Sequence, residues 1–418
     1  MISVIIPVFN NWNLSQECLL SLAKTTENED IEVIVVDNAS TDATRNECPS
    51  FGENLFPERF FYFRQDENRN YAGANNIAAA QARGNFLFLL NNDTIAQDGW
   101  LPPLRKAMEE DLSLGAVGPL LLYPKSGGDH SVQHLGVAIS LNRQVTHLYE
   151  RFPYPHRLLA RKRSFQIITG AALFMPRERY LALGGLNEDF RNGFEDVELC
   201  YRLCEAGFRQ TVVTESVILH YGGRSAGRNA HETANIALCD RLCPHLLIDE
   251  PRLYRDDGYV PVISPWLKLY ATLSPQKKIE LLRVARTASL ETLQEAVRDE
   301  PYWIDGAMLL ARKYEVAGQL KDAFNVLTRV CSFRGTPETL IPYCRFLQAI
   351  GQREAMEDIV AYLQEFAITP EERIETLTAL RKQFLHTDDE LVSQIDNLLR
   401  TNSNFFSDLY PQICSFVS

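Results

Sequence analysis

Short runs of β-branched and aromatic residues alternate with stretches of helical spacing through the first half of the chain. Residues 2–9, 31–37, 60–64 and 85–90 are apolar and bounded by Asn, Asp and Gly, the pattern of buried strands. Between them, residues 14–24, 42–47 and 71–83 carry apolar or small residues at helical intervals, with Ser40 or Thr41 expected to cap the second helix. Strand and helix in alternation predict a doubly wound, mostly parallel sheet covered by helices. Further on, 166–175 reads as ordered, 194–206 as a helix and 211–220 as a strand or hairpin. Beyond Pro265 the pattern is helical alone.

In a sheet of this kind a ligand sits at the carboxyl ends of the strands. Polar residues stand at three of those ends: Asn10, Asp37-Asn38 and Asn91-Asn92-Asp93. No G-x-G-x-x-G follows the first strand and no G-x-x-x-x-G-K-[ST] occurs, which speaks against dinucleotide oxidoreductases and P-loop NTPases. A carboxylate at the exposed end of a buried strand suits a hard cation that must also touch phosphate oxygens, and an Asx turn would place the same residues there. Glu195-Asp196 open the 194–206 helix; the helix dipole favours acids in a first turn, and one of them could also serve as a general base.

Composition narrows the field. The 418 residues carry 42 Lys+Arg against 54 Asp+Glu, a net charge of −12, which argues against a nucleic-acid binder. Nine cysteines, an odd number without a framework, and an N-terminus lacking a basic leader predict reduced thiols and a cytoplasmic protein. The i, i+4 pairs Cys200/Cys204 and Cys239/Cys243 read as buried thiols on helix core faces rather than as a zinc site. No apolar run approaches the roughly 20 residues of a membrane span. The aromatic stretch 259–273 reads as a packed linker, with peripheral contact at the inner face of the cell membrane as the alternative. Residues 123–164, with Gly127-Gly128 and the basic cluster Arg157, Arg161, Lys162 and Arg163, read as a solvated loop or as a contact for an acceptor phosphate.

From Ile2 to about Ser225 the chain resembles the family 2 glycosyltransferases of the GT-A (nucleotide-diphospho-sugar transferase) fold, in their bacterial rhamnosyltransferase-like branch. The residues that carry the resemblance are Val4-Ile5-Ile6-Pro7-Val8-Phe9-Asn10, Val35-Val36-Asp37-Asn38-Ala39-Ser40-Thr41-Asp42 and Asn70-Tyr71-Ala72-Gly73-Ala74-Asn75-Asn76. Leu90-Asn91-Asn92-Asp93-Thr94, Thr169-Gly170-Ala171, Gly184-Gly185-Leu186-Asn187-Glu188, Glu195-Asp196-Val197-Glu198-Leu199-Cys200 and His220 follow in the family's order.

The resemblance implies a nucleoside-diphosphate-sugar pocket lined by Pro7, Val8, Phe9, Asn10, Asp37 and Asn38. Asp37 would read the base edge. Asn70, Gly73 and Asn76 would shape the floor near ribose and diphosphate, and Asn92 would also bind substrate. It further implies Mn²⁺ or Mg²⁺ held by Asp93 with Asn91 and His220, Asp196 as catalytic base, and Glu195 beside it on the acceptor side. Asn91 stands where many members carry Asp, which lowers the charge offered to a metal. A lone His at a strand end is otherwise a structural residue.

The implied reaction is inverting transfer from a UDP- or dTDP-linked sugar to a hydroxyl on a glycan, lipid-linked or protein acceptor, in surface polysaccharide or glycoconjugate synthesis. The rival reading is a non-catalytic adaptor that uses the fold as a scaffold. A nucleotidyltransferase is disfavoured, because no Gly-rich basic phosphate loop follows the first strand.

In the helical tail, Ala307, Leu310, Ala311, Tyr314, Gly318, Ala323 and Leu327 are echoed by Tyr343, Leu347, Gly351 and Ala355, with the two glycines 33 residues apart. The tail resembles tetratricopeptide repeats, with a further pair expected between 371 and 399, and a plain helical bundle is the alternative. The expected domains are a transferase domain over 1–245, a linker over 246–275 and an all-α repeat-like domain over 276–418, the last a surface for a protein partner.

Overall fold

The computed structural model describes residues 1–125, 130–222, 231–364 and 369–401. Gly127-Gly128 and the end of the helical tail lie outside the described residues. The chain forms two units, Met1–Ile139 with Val145–Leu247, and Ser140–Gln144 with the chain from Ile248 onward.

In the N-terminal unit β1 (Ile2–Val8) and β2 (Ile31–Asp37) are buried at every position. Continuous burial is why these strands read as unbroken apolar runs, since both faces of the sheet are covered. They join β3 (Phe60–Arg64) and β4 (Phe86–Leu90) in the order β3-β2-β1-β4, all parallel. The connections run through α1 (Trp12–Thr25), α2 (Thr44–Leu55) and α3 (Asn70–Gln81).

The second helix departs from expectation at both ends. Asp42, not Ser40 or Thr41, accepts the Thr44 N–H at 3.0 Å, and the Ser40 hydroxyl instead accepts from Asn10 N–H at 2.8 Å. The helix also continues through Pro49, giving up one backbone bond there. Gly52 lets the Phe60 ring close on it, because a Cβ at that position would lie 2.1 Å from the ring.

The remaining elements are β5 (Thr94–Ala96), α4 (Leu101–Glu110), β6 (Leu114–Tyr123), β7 (Ser131–His134), β8 (Val137–Ile139), β9 (Val145–His147), β10 (Ala172–Pro176), α5 (Arg177–Ala182), α6 (Glu195–Glu205), β11 (Arg209–His220) and α7 (Glu232–Leu242). β5, β6, β7, β10 and β11 extend the sheet to β3-β2-β1-β4-β10-β6-β11-β5, with β7 on β6, and β8 pairs with β9 in a sheet of their own. Beyond β4 the sheet is mixed: β10 runs antiparallel to both neighbours, β11 is parallel to β6, and β5 is antiparallel to β11.

This mixture makes the site. Because β10 is reversed, its first residue Ala172 pairs with Leu90, the last residue of β4. The approach to β10, Thr169-Gly170-Ala171, therefore lies at the carboxyl rim. His220, at the end of β11, pairs with Thr94 of β5 and reaches the same place.

The second unit contains α8 (Glu250–Asp256) and a hairpin of β12 (Val260–Ile263) and β13 (Leu269–Thr272). Tyr259, Ile263, Trp266, Leu267 and Leu273 are buried, so this aromatic stretch is packed. Among the described residues eight helices follow: α9 (Pro275–Thr287), α10 (Leu290–Asp299), α11 (Ile304–Val316), α12 (Leu320–Phe333), α13 (Pro337–Ala349), α14 (Arg353–Gln364), α15 (Pro370–Phe384) and α16 (Asp389–Arg400). Gly318 and Gly351 both adopt φ 73° just past α11 and α13. Gln319 N–H then bonds Tyr314 O at 2.9 Å, and Gln352 N–H bonds Leu347 O at 2.9 Å, so one left-handed turn recurs in both helix pairs. Among the described residues no helix is long and apolar enough to cross a membrane.

Candidate active site

At the β1–β2 end of the rim the polar side chains are largely committed to one another. Pro7 and Val8 are buried within β1, whereas the Phe9 ring is 48% exposed at the edge. Asn10, at φ 57°, accepts the Thr41 N–H at 2.7 Å and the Asp42 N–H at 3.3 Å. Asp37 is fully buried and its carboxylate accepts from Ser40 N–H at 2.7 Å, Tyr62 hydroxyl at 2.5 Å and Arg64 at 2.6 Å. Three strong donors leave Asp37 little capacity for a base edge. Asn38 accepts from Arg69 N–H at 3.2 Å and donates to Asn70 O at 3.1 Å, tying β2 to the start of α3.

On α3, Asn76 uses all four of its amide bonds internally. It donates to Leu186 O and Glu188 Oε1, both at 2.8 Å, and accepts from Tyr180 hydroxyl at 2.6 Å and Leu186 N–H at 2.9 Å. Gly73 faces the same loop, since a Cβ there would stand 3.4 Å from Glu188 Oε2.

After β4, Asn91 N–H bonds Ala171 O at 2.9 Å, and Asn92 donates to Ser15 at 2.8 Å. Asp93 is buried, with Oδ1 3.1 Å from His220 Nε2, while Asn91 Nδ2 lies 3.4 Å from the same nitrogen. Burial alone would raise the Asp93 pKa. The hydrogen bond and charge of His220, with N–H groups of Asp93 and Gly222, outweigh it and hold the carboxyl below its usual range.

The family resemblance implies a divalent cation here, and the donor set suits one. Cis ligands of an octahedral ion with bonds of about 2.0–2.1 Å stand roughly 3 Å apart, the separation of Asp93 Oδ1 and His220 Nε2. The protein ligands are sparse: among the described residues no three His, Cys, Asp or Glu converge on one point. An ion bound here would complete its shell with the Asn91 amide oxygen after rotation, with water, and with phosphate oxygens.

Asp196 sits at the start of α6, half-buried, accepting from Gly170 N–H at 2.6 Å and from Val197 N–H at 2.9 Å. A Cβ at Gly170 would lie 3.1 Å from Asp196 Cβ, so the missing side chain permits this approach. Tyr71 donates its hydroxyl to Gly170 O. Burial, and then the charges of Glu195 and Asp196, push that phenol well above its ordinary pKa. Glu195 is buried and accepts Gly193 N–H at 2.6 Å.

The dipeptide Gly170-Ala171 is therefore gripped from two sides, by Asp196 at Gly170 N–H and by the Asn91 backbone at Ala171 O. The acid of α6 and the Asn91–Asp93 element flank one short piece of chain.

Residues 3–180 match the sequence model of Glycosyl transferase family 2. That region is similar to the family 2 glycosyl transferases. The chain is 32% identical over 235 residues to the O-antigen biosynthesis protein RfbC of Myxococcus xanthus, covering 55% of this chain and 18% of that one. It is also 32% identical over 235 residues to an uncharacterized protein of Sinorhizobium fredii, covering 54% of this chain and 25% of that protein. The chain thus spans a quarter or less of these two relatives' length. Against the N-acetylglucosaminyl-diphospho-decaprenol L-rhamnosyltransferase of Mycobacterium tuberculosis, identity is 25% over 248 residues, covering 53% of this chain and 79% of that one. Among solved structures, a mannosyltransferase of Pyrobaculum calidifontis with GDP-Man and Mn²⁺ aligns at 21% identity and a TM-score of 0.45, covering 77% of this chain and 86% of that one.

Two groups near this rim escaped sequence reasoning. Gln133 on β7 holds His220 from behind, with Oε1 2.6 Å from His220 Nδ1. His134, its fully buried neighbour, accepts Thr169 N–H at Nε2 (3.4 Å) and pairs through Nδ1 with His147 Nδ1 at 2.9 Å. Burial, and then the nearby His147 and His220, hold the His134 pKa well below its usual value. Neither residue belongs to a motif. In the basic cluster, Arg163 spends its guanidinium on Leu158 O and Arg161 O.

Proposed function

We propose that the N-terminal unit transfers a sugar from a nucleoside-diphosphate donor to a hydroxyl acceptor with inversion. The observation that carries this reading is the shared grip on Gly170-Ala171, held at Gly170 N–H by the half-buried Asp196 carboxylate and at Ala171 O by the backbone of Asn91, two residues before Asp93. Asp196 acts as the base: it takes the proton of the acceptor hydroxyl as that oxygen bonds to the anomeric carbon. The bond from that carbon to the phosphate oxygen breaks, and the nucleoside diphosphate leaves with its electron pair. Gly170 N–H and Val197 N–H fix the carboxylate for this task. Asp93, His220 and Asn91 would hold Mn²⁺ or Mg²⁺, which supplies Lewis-acid charge for the leaving diphosphate. The exposed Phe9 ring offers an edge for the nucleobase, while Asp37, Asn38 and Asn76 keep the pocket walls in place.

The relatives named for O-antigen biosynthesis and rhamnosyl transfer support a role in polysaccharide synthesis. The helical tail, with its repeated turn, is proposed as a tetratricopeptide-like surface for a protein partner. The test is melting of the full chain against UDP, dTDP and GDP and their sugars, with and without Mn²⁺. Stabilisation by one nucleotide that weakens on chelation is expected. No shift with any of them, metal present, would favour the adaptor reading.

A further inference from the structure

Beside the Asp93–His220 pair, β7 contributes a side chain whose chemistry is fixed on both of its ends. The Gln133 amide donates Nε2–H to the His220 backbone carbonyl at 3.1 Å. Its oxygen stands 2.6 Å from His220 Nδ1. Only one orientation of the amide satisfies both contacts, because the reverse would set an oxygen against the carbonyl and an N–H₂ against the ring. With an acceptor oxygen fixed against it, Nδ1 must carry a proton. The other ring nitrogen, Nε2, is the one turned to Asp93 Oδ1 at 3.1 Å and Asn91 Nδ2 at 3.4 Å.

The surroundings lock this arrangement. Gln133 is 8% exposed and His220 7%. A Cβ on Gly222, at φ 62°, would come within 2.8 Å of Gln133 Nε2, so the chain after His220 has room for the amide only as glycine. Tyr221 N–H bonds Asp93 O at 3.0 Å and closes the loop between β11 and the Asp93 turn. His134, the other imidazole near this ring, is occupied by Thr169 and His147 and does not compete for Gln133.

We infer that Gln133 is a positioning residue: it holds a proton on His220 Nδ1 and so leaves Nε2, the nitrogen that faces Asp93, as the one that binds a divalent cation there in place of its contact with the carboxylate. This rests on the reading of His220 as a metal ligand. A ligating imidazole commonly takes its tautomer from a partner on its distal nitrogen, and removing such partners costs about 10–100-fold in metal affinity.

The experiment uses the full chain labelled with ¹⁵N-histidine, with the His220 signals identified by their loss in His220→Ala. Two-dimensional ¹H–¹⁵N long-range spectra without metal report which nitrogen bears the proton, and electron paramagnetic resonance of unbound Mn²⁺ reports affinity. In the wild type, His220 is expected to carry a proton on Nδ1. Gln133→Leu is expected to move that proton to Nε2 or mix the tautomers, and to weaken Mn²⁺ binding about 10–100-fold. Gln133→Glu keeps an acceptor at Nδ1, gives up the donor to the His220 carbonyl, and should retain the Nδ1 proton and Mn²⁺ binding, even if Gln133→Leu fails to fold. A wild-type His220 whose Nδ1 bears no proton overturns the assignment, as do an Nδ1 proton and an affinity unmoved in Gln133→Leu. If the tautomer is Nδ1–H but Mn²⁺ binds equally well to His220→Ala, the ligand reading fails and the positioning role falls with it.

Discussion

Replacing Asn76 with Ala separates a wall residue from one that touches the donor. The substitution removes an amide that meets the Tyr180 hydroxyl at 2.6 Å, Leu186 N–H at 2.9 Å, Leu186 O at 2.8 Å and Glu188 at 2.8 Å. Tyr180 is fully buried, so its hydroxyl cannot turn to water. An orphaned buried donor costs about 1–3 kcal/mol. The Leu186 N–H retains a weaker contact with Tyr180 oxygen at 3.3 Å, so its share is smaller. The sum is about 2–4 kcal/mol, and a unit of this size should melt roughly 5–15 °C lower. Thermal melting with hydrogen exchange resolved over α3 and residues 183–188 is the assay. In a Tyr180→Phe background the same substitution should cost about 1 kcal/mol less, because the hydroxyl it orphans is gone. A loss of under about 0.5 kcal/mol, with donor affinity abolished instead, would refute the reasoning and return Asn76 to the binding surface.

Two further outcomes follow from the same geometry. Gly170→Ala should press Asp196 away by a few tenths of an ångström, given the 3.1 Å approach to its Cβ, and lower turnover about tenfold with donor affinity unchanged; wild-type turnover would show that the Gly170–Asp196 contact is not needed. Glu32 is buried among Ser3 and Arg83; burial alone would raise its pKa, but those hydrogen bonds and the Arg83 charge carry it below 4.5. Its contribution is therefore complete above that value and fades as pH falls through the depressed pKa, so Glu32→Gln should flatten the acid limb of a melting-temperature profile, and an unchanged limb would contradict the assignment.

β1, β2 and β4 were legible because burial on both faces writes a largely apolar run, and β3 because its aromatic residues do so even with only Phe60 buried; the ends of β1, β2 and β4 marked Asn10, Asp37 and Asp93 without further information. Strand direction was not legible. Nothing in the residues of β10 states that it runs against β4, yet that reversal brings Gly170 to the rim. The start of α2 was misplaced because Ser40, Thr41 and Asp42 are all good capping types, and only the contact with Asn10 N–H removes Ser40 from that role. Asn76 shows a deeper limit: an amide that closes a loop and an amide that binds a ribose look the same in a motif. Gln133 and His134 sit in a four-residue strand with no periodicity to announce it, and their partners at 220, 147 and 169 are distant in sequence.

The central claim is that Asp196 is the base of a sugar transfer, and Asp196→Asn tests it most directly. The amide has nearly the same shape and keeps one acceptor for Gly170 or Val197 N–H, so folding should survive with a small loss in melting temperature. Turnover should be measured with the donor that stabilises the wild type, alongside donor affinity by calorimetry. The account predicts that transfer is abolished while donor affinity stays within about twofold, because only the proton acceptor is gone. Transfer at the wild-type rate would contradict it.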